Sequence, residues 1–190
     1  MMTHRQALEV VARCRGQRVV IVTMGSVGIW PDLSDTPLDF SYLPSSMGQG
    51  VPLALGLALA RPERGVIVVT GDGSLLMNLG CLATVAAYPA PIAIVVIDNQ
   101  LYEVTGGQAI VNAGRIDYGL LARSLGIEQA YNFDMLDDWA AAAATILSQP
   151  QPTLTSLRVA GTLGQKTPSA RRPMAEQIAR LQEALAEGQR

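Results

Sequence analysis

The sequence has few histidines, aromatic residues, charged residues and cysteines. It holds one histidine, two cysteines and 5% aromatic residues, and Asp, Glu, Lys and Arg make up 16% of its 190 residues. Cys14 and Cys81 lie far apart and lack the spacing of a metal site, so we expect reduced, buried thiols. A net charge of −2 without a basic patch argues against nucleic acid as a partner. No apolar run reaches the ~20 residues of a membrane span, so we expect no membrane partner.

The first residues also lack the pattern of a signal peptide. The start, MMTHRQALEVVARCRG, is an amphipathic helical pattern with interspersed charge, so we expect a cytoplasmic protein. Thr3 is predicted to cap a helix that reaches about Cys14. We interpret His4, at the start of that helix, as a solvated residue, which leaves no histidine base. The length predicts one domain over 1–190, in which 161–190 form a C-terminal loop and helix.

Apolar, β-branched runs predict a buried parallel sheet. The clearest are Val66–Thr70 and Ile92–Ile97, joined by Leu75–Ala87, which is long enough to be the crossover helix of a right-handed βαβ unit. Further strands are predicted at 18–23, 40–43, 130–133 and 153–159. Further helices are predicted at 51–60, 117–125, 134–148 and 174–186. In the helix over 134–148, Asp134 or Asp137 is the expected cap and Trp139 the expected packing anchor. The expected fold class is therefore α/β, a doubly wound, mostly parallel sheet flanked by helices.

Polar residues follow the two clearest strands, where loops from neighbouring strands lie side by side and bind ligands. Asp72, in a Gly-Asp-Gly turn, should therefore lie near Asn99. Ser74 is predicted to cap the next helix, whose free N–H groups favour a phosphate. A carboxylate beside a phosphate requires a cation, and carboxylate, amide and phosphate oxygens suit Mg²⁺. The residues alone predict a diphosphate held through Mg²⁺, with Asp72, Asn99 and the backbone carbonyl of Leu101 as metal ligands.

The same stretch resembles a known family. Gly71-Asp72-Gly73, the 24 residues 74–97 and then Asp98-Asn99 are similar to the thiamine diphosphate motif, in which GDG precedes an Asn pair. Asp98 stands where the family's first Asn would be, a departure that spares the ligand position Asn99. The longer string GDGSLLMNLGCLATVA…DNQLYEVTGGQ resembles sulfopyruvate and phosphonopyruvate decarboxylases, and the resemblance covers about 3–185. It implies the thiamine diphosphate-binding fold, with thiamine diphosphate and Mg²⁺ as cofactors. The alternative is a glycine turn with a helix-capping Asp in an ordinary doubly wound domain.

The resemblance also implies roles for residues outside the motif. In the family the first strand-end loop touches the diphosphate, which points to Gly25 and Ser26, although an ordinary glycine turn fits them equally. The string Ser45-Ser46-Met47-Gly48 is similar to the family's GSMG element, so Met47 would hold the cofactor bent and the Ser45 carbonyl would accept its 4′-amino group; a core gap-filler is the alternative for Met47. The expected cofactor-binding set is Gly25, Ser26, Ser45, Met47, Gly71, Asp72, Gly73, Ser74, Asn99, Leu101 and Tyr102.

The resemblance implies decarboxylation of a small anionic 2-oxo acid, above all sulfopyruvate or phosphonopyruvate, to the corresponding acetaldehyde and CO₂. The family also needs a glutamate beside the pyrimidine, which lies on a second domain, and no glutamate here is an evident substitute; Glu103 lies near the metal rim. We therefore expect a β subunit whose α partner supplies that glutamate, in a hetero-oligomer such as a heterotetramer or larger. Lys166, Arg171 and Arg172 are either partners for a sulfonate or phosphonate or a solvated tail.

Three other functions stay open at this point. The chain could belong to another thiamine diphosphate enzyme, similar to acetolactate synthase or to an aldehyde lyase. It could be a non-catalytic subunit that binds the cofactor. An unrelated nucleotide-binding domain is disfavoured, because the GxGxxG and GxxxxGK[ST] fingerprints are both absent.

Overall fold

The computed structural model describes residues 1–162 and 168–187, which fold around a parallel sheet. The strands are, in chain order, β1 (Val19–Val22), β2 (Asp39–Ser41), β3 (Val66–Gly71), β4 (Ile92–Asp98), β5 (Leu101–Tyr102), β6 (Gln108–Ala109), β7 (Gln129–Phe133) and β8 (Thr153–Arg158). The α-helices are α1 (His4–Cys14), α2 (Gly50–Ala60), α3 (Asp72–Leu76), α4 (Cys81–Ala87), α5 (Tyr118–Ser124), α6 (Leu136–Leu147) and α7 (Met174–Glu187). Short 3₁₀ helices span Met24–Gly28, Trp30–Asp32 and Glu103–Thr105.

The main sheet has six parallel strands in the order β2-β1-β3-β4-β8-β7, and β5 and β6 form a separate antiparallel pair. From β1 the chain moves outward to β2 and then returns to β3, on the other side of β1. The carboxyl ends of β1 and β3 therefore border a topological switch point, the place where open α/β sheets bind ligands. The predicted doubly wound α/β fold is confirmed.

Alternate residues of each strand pack on opposite faces of the sheet. Val19 and Ile21 contact the layer formed by α2, α4, α5 and α7, whereas Val20 and Val22 contact the layer formed by α1 and α6. Trp139 of α6 is 0% exposed, which confirms it as a packing anchor. Fully burying one aliphatic side chain contributes about 1.5–3 kcal/mol, so two such layers hold the strand ends rigidly.

The predicted single helix over 75–87 is wrong, because the segment forms α3 and α4 with a turn between them. The turn contains Asn78, whose side-chain amide donates to the Gly48 carbonyl at 3.0 Å. The two loops are in tight contact, since a Cβ added to Gly48 would lie 2.7 Å from the Asn78 Cβ. This tertiary contact outweighs the local preference for one continuous helix.

The helix caps match the sequence predictions only in part. Thr3 caps α1 as predicted and forms a reciprocal capping box with Gln6. The predicted cap of α6 by Asp134 or Asp137 is wrong, because Met135 occupies the N-cap position without a side-chain bond. Asp137 lies in the first turn, where its charge is favourable to the helix dipole.

The outer edge of the sheet is covered at β2 by α7. The backbone N–H of Ser41 donates to Gln177 Oε1 at 2.7 Å, and Gln177 Nε2 donates to the Ser41 carbonyl at 3.3 Å. The side chain thus replaces a neighbouring strand and blocks the edge. Within the described ranges, every helix is too short or too polar to cross a lipid bilayer.

Candidate functional site

A cleft opens at the carboxyl ends of β1, β3 and β4, at the switch point of the sheet. The turns that follow these strands supply most of its wall. The residues that line the cleft are His4, Thr23, Met24, Gly25, Ser26, Met47, Gly71, Asp72, Gly73, Ser74, Ile97, Asn99, Leu101, Tyr102, Glu103 and Val104. Of the predicted cofactor-binding residues, Ser45 alone lies outside this lining.

Asp72 joins two of the turns that form the cleft. Its carboxylate is 1% exposed, and Oδ1 accepts from the N–H of Gly73 at 2.7 Å. Its Oδ2 accepts from the N–H of Gln100 at 2.6 Å, which ties the turn after β3 to the turn after β4. Gln100 has a φ of 66°, a left-handed conformation that is unusual outside glycine and asparagine and that the surrounding contacts must maintain.

Two buried acidic side chains lie together at this point. Burial raises the pKa of Asp72 to about 7; the Asp98 carboxylate adds to the rise, and the N–H bonds from Gly73 and Gln100 oppose it. Burial also raises the pKa of Asp98, although Arg158 lowers it through an ion pair with an Nη2–Oδ2 distance of 3.0 Å. A buried acidic pair with one guanidinium beside it is stabilised in its ionised form by a further cation.

The expected metal ligands come from two turns that meet in the cleft, where the N–H of Gln100, between Asn99 and Leu101, is bonded to Asp72. Asn99 and Leu101 line the cleft with Asp72, and Asn99 Oδ1 accepts from the N–H of Leu101 at 3.0 Å. Among residues 1–162 and 168–187, no cluster of three His, Cys, Asp or Glu side chains is placed to hold a metal. One carboxylate, one amide and one carbonyl, completed by phosphate oxygens and water, nevertheless fit Mg²⁺, which keeps several non-protein ligands.

The turn after β1 forms the opposite wall of the cleft. It is the 3₁₀ helix Met24–Gly28, in which Gly25 and Ser26 line the cleft as expected. Met24 has a φ of 49°, so a second non-glycine residue at this rim adopts a left-handed conformation. Such conformations cluster at ligand sites, where the fold imposes them.

Met47 is positioned by a hydrogen bond between neighbouring loops. The predicted helix cap by Ser74 is wrong: Ser74 lies inside α3, and its Oγ accepts from the N–H of Gly48 at 2.9 Å. This bond places Met47 in the cleft wall. The Ser45 hydroxyl is buried with no hydrogen-bond partner in the described part of the chain, and the expected role of the Ser45 carbonyl stays a prediction.

The β5–β6 segment closes one side of the cleft. The Tyr102 ring packs against Gly73 so closely that a Cβ there would lie 2.4 Å from Tyr102 Cε1. Glu103 follows, and its Oε1 accepts from the N–H of Thr162 at 2.9 Å. Tyr102 and Glu103 thus both face the cleft, one as an apolar wall and the other as a second negative charge.

The interpretation of His4 as a solvated residue is wrong. Its Nε2 lies 2.9 Å from Ser26 Oγ, and the ring lines the cleft. Burial lowers the pKa of His4 to about 4. A signal for this was present in the sequence, because His4 precedes the buried residues Leu8 and Val11 at the i, i+4, i+7 spacing of one helix face.

The cationic residues near the C-terminus contact a different surface. Arg171 is ion-paired with Asp32, and Arg172 binds both oxygens of Asp35 at 2.7 Å. Neither arginine lines the cleft. Lys166 lies outside the described residues.

Comparison with known proteins identifies relatives of this chain. A family model described as "Thiamine pyrophosphate enzyme, C-terminal TPP binding domain" matches residues 23–157. A phosphonopyruvate decarboxylase from Streptomyces viridochromogenes is 40% identical over 119 residues, which cover 62% of this chain and 30% of that protein. The sulfopyruvate decarboxylase subunit beta of Methanothermobacter thermautotrophicus is 40% identical over 129 residues, which cover 66% of this chain and 68% of that subunit.

The fold is also found in solved structures. A thiamine diphosphate-dependent 4-hydroxybenzoylformate decarboxylase from Rhodococcus jostii superimposes with a TM-score of 0.71, at 23% identity, over 84% of this chain and 33% of that one. This likeness concerns the fold alone. The chain spans about a third of the length of that enzyme and of the phosphonopyruvate decarboxylases, but two thirds of the beta subunit.

Proposed function

This chain belongs to the thiamine pyrophosphate enzymes, as a C-terminal TPP-binding domain, and from that membership we propose that it is the β subunit of a two-chain 2-oxo acid decarboxylase. The observation that carries the proposal is the buried Asp72 carboxylate, which faces the cleft together with Asn99 and Leu101. It supports the proposal because a carboxylate at this place would hold the Mg²⁺ that accompanies a diphosphate.

We assign the metal, the diphosphate and the rest of the cofactor to different residues of the cleft. Thiamine diphosphate, when bound, supplies an electron sink for the loss of CO₂ from a 2-oxo acid. Asp72, Asn99 and the Leu101 carbonyl would hold Mg²⁺ beside the diphosphate. Gly25 and Ser26 would bind phosphate oxygens from the opposite wall, and Met47 would support the cofactor.

Two features support an α partner that completes the active site. The chain covers 68% of a relative named as a beta subunit and 30% of the longer phosphonopyruvate decarboxylase. Glu103, the acidic residue of the cleft besides Asp72, accepts the Thr162 N–H, and its Oε2 would lie 3.4 Å from a Cβ on Gly25, in the turn assigned to the diphosphate, so we do not assign it to the pyrimidine. The glutamate expected beside the pyrimidine is assigned to the α chain.

The substrate class follows from the relatives. Phosphonopyruvate and sulfopyruvate are both 2-oxo acids that carry a second strong anion, and we assign this class to the α/β enzyme. Arg171 and Arg172 already pair with Asp32 and Asp35, so the group that binds the second anion is expected mainly on the α chain.

Calorimetric titration of the chain with thiamine diphosphate tests the metal site. We expect binding that requires Mg²⁺, weakened at least tenfold, or about 1.4 kcal/mol, in Asp72→Asn and in Asn99→Ala. Asp137→Asn, an exposed change in α6 outside the cleft, should bind like the wild type. Binding that is absent, or indifferent to Mg²⁺ and to Asp72, would contradict the proposal.

A second experiment tests the reaction and the partner. CO₂ release from sulfopyruvate, phosphonopyruvate and pyruvate is measured with the chain alone and with the α chain present. We expect release from an anionic 2-oxo acid only with both chains. Equal rates for the chain alone would refute the two-chain arrangement, and a carbon–carbon coupled product from pyruvate would support an enzyme similar to acetolactate synthase instead.

A further inference from the structure

The ring of His4 faces the wall of the cleft that is assigned to the phosphate oxygens. His4 Nε2 lies 2.9 Å from Ser26 Oγ. A Cβ added to Gly25 would lie 3.5 Å from His4 Cε1, so the imidazole is in contact range of both residues of that turn. A ligand that reaches Gly25 and Ser26 therefore also reaches His4.

The cleft is rich in negative charge, so a side chain at this position that can become positively charged would favour the binding of an anion. Asp72 and Glu103 give the described lining two carboxylates, and a diphosphate would bring further negative charge. Among the described residues that line the cleft, His4 is the one whose side chain can become positively charged. Mg²⁺ can balance part of the charge from the Asp72 wall, but it leaves the opposite wall without a cation.

The fold holds the imidazole in place. Thr3 and Gln6 close the first turn of α1 through a capping box. One turn further on, the Ala7 carbonyl accepts from Trp139 Nε1 at 3.2 Å, and Leu8 is 0% exposed. His4 is thus fixed at the N-terminal end of a packed helix, and it loses little conformational freedom when a ligand arrives.

We propose that His4, together with Ser26, binds the diphosphate of the cofactor and takes up a proton from solvent as the anion enters. The inference rests on the proposed function. In the free cleft, burial keeps the ring neutral. A phosphate oxygen beside the imidazole favours the imidazolium, which then donates a charge-assisted hydrogen bond.

Other titratable groups near His4 do not remove this effect. The other titratable side chains that line the cleft are Asp72, Tyr102 and Glu103, and the two carboxylates among them favour a protonated ring. On its own helix, Arg5 is ion-paired with Glu9 and Asp32. The proton uptake is therefore a property of the occupied cleft and is measured as a difference between free and bound protein.

The single histidine of the sequence allows a direct test by NMR. The imidazole Cε1–H signal of the whole chain is titrated with pH, free and with Mg²⁺ plus pyrophosphate or thiamine diphosphate. We expect a free-state pKa well below 6.5 and a rise of about three pH units in either complex, because a strong effect of the charge at pH 6 requires a ring that is mostly protonated there. Thiamine without phosphates should leave the signal unchanged.

Variants separate the role of charge from that of structure. His4→Gln keeps hydrogen-bonding capacity without charge and should weaken Mg²⁺–pyrophosphate binding about five- to twentyfold at pH 6, with a smaller effect at pH 8. His4→Lys should recover most of the affinity and lose this pH dependence. Arg5→Gln, which removes a positive charge one residue away but outside the cleft, should bind like the wild type.

The outcomes distinguish this inference from the proposed function. Wild-type binding that depends on Mg²⁺, with an unmoved histidine signal and an unchanged affinity in His4→Gln, would overturn the role of His4 and leave the cofactor site intact. A wild-type chain that binds neither pyrophosphate nor thiamine diphosphate would overturn both.

Discussion

The two glycines that flank Asp72 differ in a way that predicts opposite effects of the same substitution. A Cβ at Gly73 would lie 2.4 and 2.7 Å from Cε1 and Cδ1 of Tyr102 and 3.2 Å from Ile110 Cγ2. A Cβ at Gly71 meets no atom within 4 Å, and its φ of −78° is accessible to alanine. Gly73→Ala and Gly71→Ala therefore add one methyl group each to the two glycines of one motif, and only the first is obstructed.

The magnitudes follow from these distances. An ordinary carbon–carbon contact is about 3.5–4.0 Å, so the Tyr102 ring must move by about 1 Å to admit the methyl group of Gly73→Ala. Overpacking of this kind costs about 1–3 kcal/mol, and the better helix propensity of alanine in α3 offsets up to ~1 kcal/mol. We expect Gly73→Ala to lose about 1–2 kcal/mol, and Gly71→Ala to range from neutral to ~1 kcal/mol more stable.

Urea unfolding of both variants measures this difference, and a double-mutant cycle with Tyr102→Ala assigns its cause. In the Tyr102→Ala background, Gly73→Ala should lose most of its cost, because the ring is gone and only the 3.2 Å contact with Ile110 Cγ2 remains. Equal stability of Gly73→Ala and Gly71→Ala would refute the reasoning, as would a loss in Gly73→Ala that persists in full without the ring.

Three further predictions concern buried polar and charged groups. Tyr118 is 2% exposed, and its hydroxyl has no hydrogen-bond partner among the described residues. Tyr118→Phe should therefore stabilise the fold by about 1 kcal/mol, or ~2–4 °C in Tm. Tyr131→Phe is the control and should not stabilise the fold, because it loses a 2.6 Å hydrogen bond to Gln129. Asp39→Asn leaves the buried Arg15 guanidinium without its charge partner and should cost about 3 kcal/mol or more in urea unfolding; a loss under ~1 kcal/mol would contradict this. Burial lowers the pKa of His4 from 6.5 to about 4, so the unfolded chain binds more protons between these values and folding stability falls as pH drops from about 6.5 to about 4. This contribution is at most about 3 kcal/mol, and the pH slope of His4→Gln should lack it.

Continuous burial made the sheet predictable. The β-branched runs of β3 and β4 are apolar on both faces, because helices cover both sides of the sheet, and the sequence pattern shows this directly. The turns after these strands were equally predictable, since the positions of Asp72 and Asn99 depend on local sequence and on parallel pairing alone. The correct predictions of the sheet and of the turns that carry Asp72 and Asn99 therefore depend on contacts between neighbouring strands.

Three of the errors depend instead on contacts between segments that are distant in the sequence. The break between α3 and α4 depends on the hydrogen bond from Asn78 to Gly48, thirty positions earlier. Ser74 does not cap the helix, because its hydroxyl accepts from the N–H of Gly48. His4 meets Ser26 only because α1 docks across the sheet. Each of these three errors concerns a polar side chain whose partner lies on another loop or layer, and helical or strand periodicity does not encode such a partner.

The oxygens expected to bind the metal are oriented before any metal arrives. Each oxygen of Asp72 accepts one backbone N–H, from Gly73 and from Gln100, and Asn99 Oδ1 accepts one from Leu101. A carboxylate or amide oxygen offers about two lone pairs, so each of these oxygens can still bind a cation without losing its hydrogen bond. The N–H groups therefore position the ligands and do not compete with the metal. We therefore predict that Mg²⁺ would bind here without a rearrangement of the turns after β3 and β4.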